Sequence, residues 1–117
     1  MLLLVTLCGI VTVLILGYMA FLFWRDPQDG LAQTTHRVEL LPQVMADRYT
    51  AFAVLAVVLT LYGDLWLMAA LFAVCAFMGF ADGLIYKRAG VAHMKHTASG
   101  ILSAGALGVT LLAIALS

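Results

Sequence analysis

Residues 42–86, PQVMADRYTAFAVLAVVLTLYGDLWLMAALFAVCAFMGFADGLIY, decide the fold. They form two long apolar runs separated by a single break at Gly63-Asp64. Pro42 suits the first turn of a helix, where its missing N–H costs nothing. Gly63 suits the position just past a helix C-terminus, and Asp64 suits the N-cap of the helix that follows. The stretch therefore predicts helices over 42–63 and 65–86. So short a joint makes them antiparallel neighbours.

The rest of the chain extends this pattern. Residues 1–24 are uninterrupted apolar sequence, roughly 36 Å of helix at 1.5 Å per residue, against a hydrocarbon core of ~30 Å. A cleaved signal peptide is the competing reading, with GYMA (17–20) as its cleavage site. The run has no basic start and exceeds the roughly 7–15 apolar residues of a signal segment, so we read it as a retained span. A fourth helix is expected over 92–117. The only substantial polar segment is the loop 25–41, RDPQDGLAQTTHRVELL, where DPQDG reads as a turn and LAQTTHRVELL as a short helix at the interface.

Composition agrees with this layout. The 117 residues are 65% hydrophobic and 10% charged, where a soluble domain carries about 25% charged residues. The expected fold class is all-α: a polytopic membrane protein with a single domain, residues 1–117, built as an antiparallel four-helix transmembrane bundle. Six basic residues balance six acids without a basic stripe, so nucleic acid is not an expected partner. Cys8 and Cys75 lie in apolar runs without paired spacing, as small hydrophobes in packed helices.

The basic residues set the orientation. Arg25, Arg37 and Arg48 flank the first loop, Lys87, Arg88 and Lys95 flank the third, and the second has none. By the positive-inside rule both basic loops are cytoplasmic and both termini lie outside, in the cytoplasmic (inner) membrane. Tyr62 and Trp66 would mark the outer interface, and Trp24, Tyr49 and Tyr86 the inner one.

Helices in lipid associate through small residues and a few polar contacts. Gly100, Ala104 and Gly108 recur every four residues in the fourth helix, as do Cys75, Gly79 and Gly83 in the third. Helices three and four are expected to touch along these stripes.

Asp82 lies about 7.5 Å of helix before Lys87, and Arg48 about 9 Å beyond Pro42. His96 sits one turn from Gly100 on the packing stripe. An acid, a base and an imidazole thus reach similar depth near one face. Turning inward to pair is cheaper than facing lipid, where a central charge costs ~2.5–3.5 kcal/mol. The expected pair is Asp82 with Arg48, with His96 or Tyr86 adding a hydrogen bond. His93 shares a face with His96 at i, i+3, but no third ligand is apparent, so neither metal nor cofactor is assigned. His36 reads as a solvated loop residue.

In length and span number the chain is similar to the small multidrug-resistance transporters. Those carry a glutamate within the first helix, whereas this first helix has no ionisable side chain before Arg25. It resembles more closely the DoxX-like small four-helix bacterial membrane proteins, over most of residues 44–117. The resemblance is carried by Arg48 in ADRYTAF, Asp82 in GFADGLIY and His96 in HTASG. Some DoxX-type proteins are similar to subunits of membrane oxidoreductases, and most have no assigned activity.

Two functions are expected from these residues. The first is an accessory or scaffold subunit, with membrane lipids and either a membrane-protein partner or a second copy around it, and with Arg48–Asp82 as a structural clasp. The second is a small membrane enzyme or a binder of lipid-like amphipathic ligands. There Asp82, Arg48 and His96 would be catalytic, and Arg48, Asp82, Tyr86, His93 and His96 would line the ligand site.

Overall fold

The computed structural model describes residues 1–117, all of whose regular structure is helical: α1 (Leu2–Arg25), α2 (Pro27–Gln33), a 3₁₀ turn (Val38–Leu40), α3 (Leu41–Tyr62), α4 (Leu65–Arg88) and α5 (Met94–Leu116). Four segments, α1, α3 with the 3₁₀ turn before it, α4 and α5, are long and apolar enough to cross a membrane. They fit a small multi-pass membrane protein. The chain divides into two compact units, Met1–Tyr49 and Thr50–Ser117.

In the first unit the feature read as a turn starts a helix instead. Asp26 ends α1 with its N–H on the Leu22 carbonyl, in extended backbone. Its carboxylate then accepts from the Gln28 and Asp29 N–H groups, with Pro27 in the first turn of α2. One residue closes one helix and caps the next. The Asp29 carboxylate holds Arg25 at 3.1 Å and accepts from the Gln33 amide at 2.7 Å. Gly30 lies against Phe23, where a Cβ would come within 3.0 Å of the ring. α2 therefore folds back onto the end of α1, and Leu22 becomes the most deeply buried core residue.

α2 ends with the His36 N–H on the Leu31 carbonyl and the Thr35 N–H on that of Ala32. These are the paired bonds of a Schellman cap. Its left-handed position, usually glycine, is filled by Thr35 at φ 58°, an outlying conformation for a β-branched residue.

In the second unit α4 and α5 form an antiparallel hairpin. Asp64 caps α4 by accepting from the Leu67 N–H at 2.9 Å, after Gly63 at φ 79°. At the other end Gly90, at φ 73°, closes a second Schellman cap through Gly90 N–H to Lys87 O and Val91 N–H to Tyr86 O. Lys87 and Arg88 occupy the last turn of α4, where cations complement the helix dipole.

The hairpin is held by a close backbone approach. A Cβ at Gly79 would stand 2.5 Å from the Gly100 nitrogen, one at Gly83 2.6 Å from Thr97 Oγ1, and one at Gly100 3.0 Å from the Phe80 nitrogen. Ala69, Leu71 and Ala76 are buried along α4, and Thr110 on α5, where its hydroxyl bonds Ala106 O. Ala104 is half-buried. Gly108, expected on the same stripe, has nothing within 4 Å of a Cβ position. Each four-residue step overshoots a full turn of a 3.6-residue helix by about 40°, so from Gly100 to Gly108 the stripe drifts about 80° around the axis, and Thr110 takes the buried place.

α3 buries no residue. Beside the joint, Thr60 Oγ1 lies 4.0 Å from Met68 Sδ. The exposed aromatics Trp24, Tyr62 and Trp66 stand at span ends, where amphipathic rings meet headgroups.

Gly79→Ala should destabilise the hairpin by about 1–3 kcal/mol, because its methyl meets backbone rather than a movable side chain. Gly108→Ala should be neutral or stabilising by up to about 1 kcal/mol, since Ala is the better helix former. Unfolding midpoints of the two variants in a sodium dodecyl sulfate titration, followed by circular dichroism, compare them directly.

Candidate functional site

The polar cluster of the second unit lies where α4 ends and α5 begins. The glycine contacts set the register: with Gly79 on Gly100 and Gly83 on Thr97, Asp82 is brought opposite His96. Its Oδ2 lies 3.9 Å from His96 Nδ1, with side chains 45% and 37% exposed respectively. That distance is beyond direct hydrogen-bond reach, so the pair is an electrostatic contact. Tyr86, one turn after Asp82 on α4, stacks on the His96 imidazole with centroids 4.8 Å apart and planes at 25°. His96 is thus held between a carboxylate and an aromatic face.

His93 takes a different direction. It is the N-cap residue of α5 without a side-chain cap bond. Its Nδ1 lies 3.3 Å from Thr97 Oγ1, which also bonds the His93 carbonyl. Thr97 is therefore both the residue against Gly83 and the partner of His93. The sequence counted it only among small residues after His96. The available signal was its place four residues from His93, on the same helix face.

Within the second unit the partner of Asp82 is His96, one of the two groups expected to join it. Tyr86 contributes its ring to His96 rather than a hydrogen bond to Asp82. Arg48 belongs to the first unit. There it lines a cavity of about 220 Å³ together with Met19, Phe23, Leu31, His36, Leu41, Val44 and Met45. Three of that unit's four carboxylates have other partners: Asp26 caps α2, Asp29 holds Arg25 and Glu39 pairs with Arg37 at 3.8 Å.

His36 is not the free loop residue expected. It is half-buried, and its Nδ1 lies 2.6 Å from Thr34 Oγ1. That hydroxyl donates its one hydrogen to Gly30 O at 2.7 Å. Nδ1 must then carry the hydrogen and donate to Thr34, leaving Nε2 open. The signal missed was Thr34 itself, whose short hydroxyl can bond the turn before it and the ring after it.

Chemically, the Asp82–His96–Tyr86 group joins a carboxylate to an imidazole, the arrangement that orients a proton carrier. At this exposure and distance its contribution to stability is small. Asp82→Asn should lower stability by less than about 1 kcal/mol. His96→Ala, which also removes the ring stack, should cost about 0.5–1.5 kcal/mol more. A double-mutant cycle over Asp82 and His96, read from the same unfolding midpoints, measures the coupling.

Comparison of the chain with protein-family models, with curated proteins and with solved structures finds no match.

Proposed function

We propose that this small membrane protein is an accessory or scaffold subunit of a larger membrane assembly, with the Asp82–His96–Tyr86 group acting as a clasp. The carrying observation is the α4–α5 hairpin, closed by backbone contact at Gly79, Gly83 and Gly100. A preformed helix pair within a chain of four apolar spans suits a subunit that packs against a neighbour. In this reading the four spans close as an antiparallel bundle within the assembly. The inner membrane and external termini follow from the confinement of all six Lys and Arg to two loops. The DoxX-like resemblance at Arg48, Asp82 and His96 belongs to the same reading.

One observation favours the alternative of a small membrane enzyme or amphipathic-ligand binder. Asp82 and His96 stand 3.9 Å apart, both partly exposed, so each can reach a polar group that binds beside the pair. His96 would then exchange a proton while Asp82 orients it, with Tyr86 stacked on its ring.

Blue-native electrophoresis and native mass spectrometry of the protein extracted gently from its own membrane separate the two. The accessory reading expects a larger complex with named subunits, which Asp82→Asn weakens. A monomer or homodimer that carries a reproducible small molecule, and loses it in folded Asp82→Asn, would replace that reading with the alternative.

A further inference from the structure

Three arginines lie in the first unit. Two are held by acids of the same segment, Arg25 by Asp29 and Arg37 by Glu39. The third, Arg48, has no ion pair within that unit and lines an apolar cavity there. Its chain neighbour Asp47 is exposed and projects about 100° away around the helix.

The cavity has a chemical polarity of its own. Met19, Phe23, Leu31, Leu41, Val44 and Met45 form its apolar wall, while Arg48 and His36 supply the only ionisable groups. At about 220 Å³ it is larger than the ~150 Å³ apolar cavity that takes up a benzene-sized guest. It is smaller than the ~300–1,000 Å³ of a pocket for a drug-sized ligand. That volume suits a segment of one hydrocarbon chain. Its walls come from the last turns of the α1 span and the first turns of the α3 span, the level at which hydrocarbon gives way to headgroup. An apolar slot of this size, at this level, beside a guanidinium without an acid of its own unit matches one amphiphile in charge and shape.

We propose that this cavity binds one anionic phospholipid, with a segment of an acyl chain against Leu31 and Val44 and the phosphate on Arg48. A guanidinium meets phosphate through parallel N–H donors, which gives orientation as well as attraction. His36 stands at the same wall with its Nδ1 hydrogen committed to Thr34 and its Nε2 open. The left-handed Thr35 that ends α2 turns the chain so that His36 folds back beside Leu31. The proposal draws only on residues of the first unit and does not depend on the role proposed for the Asp82–His96 group.

The test uses the full-length protein in dodecylmaltoside micelles, with equal amounts of phosphatidylglycerol and diacylglycerol of identical chains. Native mass spectrometry reads the lipid retained. Wild type should keep one phosphatidylglycerol, preferred over diacylglycerol by about tenfold, as a charged hydrogen bond to phosphate warrants. Arg48→Gln should lose that preference, Arg48→Lys should keep part of it, and Arg25→Gln should leave it intact. Val44→Phe, which fills the slot without changing charge, should release both lipids. Wild type that retains no lipid, retains both equally, or retains a co-purified peptide in their place would overturn the proposal. So would undiminished phosphatidylglycerol on Val44→Phe. Because the wild-type preference is decisive by itself, a variant that fails to fold does not rescue the idea.

Discussion

Inside a bilayer an apolar side chain gains nothing by leaving lipid for a neighbouring helix, because both surroundings are hydrocarbon. What remains is contact quality, meaning how closely two backbones can approach and how many atoms then touch. In this protein that condition is met along one line, where Gly79 and Gly83 of α4 face Gly100 and Thr97 of α5. The polar cluster follows from it. Asp82 and His96 stand opposite each other because the glycines beside them fix the register, and Tyr86 meets His96 one helical turn further on.

The same constraint explains why the charges sit where they do. A carboxylate in mid-helix would be costly at the bilayer centre, but Asp82 lies within two turns of Lys87 and Arg88 at the end of α4. Half-exposed, it stands in loose electrostatic contact with an imidazole. In the first unit the logic is different. There the polar groups serve a tight reversal, with Asp26 closing one helix and opening the next, and with Asp29 bridging Arg25 and Gln33. Arg48 remains outside that network, against apolar wall.

The four apolar spans were legible because their signal is long and redundant: each helix runs for more than twenty mostly apolar residues, which outweigh any single local choice. The Gly63-Asp64 break was legible as well, since a left-handed glycine followed by a capping carboxylate has few other uses. The Asp26-Pro27 pair was not. An Asp-Pro dipeptide serves equally to turn a chain and to start a helix, and only the fold-back of Gly30 onto Phe23 distinguishes them. The side to which Asp82 turns was hidden for a related reason. Depth along a helix can be counted from sequence, but rotation about its axis is set by the neighbour. Here the Gly79–Gly100 contact turns Asp82 toward α5. Gly108 illustrates the same limit, because a four-residue stripe drifts around a helix whose face repeats every 3.6 residues.

The central claim is the α4–α5 register, and disulfide trapping in native membranes tests it most directly. The residue numbers of the contacts Gly79–Gly100 and Phe80–Gly100 sum to 179 or 180. One turn further along, Cys75 should then face position 104. In a Cys8→Ser background, Ala104→Cys should form a disulfide with Cys75 rapidly under mild oxidation, whereas Gly108→Cys should not. Equal trapping at both positions, or trapping at Gly108→Cys alone, would contradict the register and with it the placement of Asp82 beside His96.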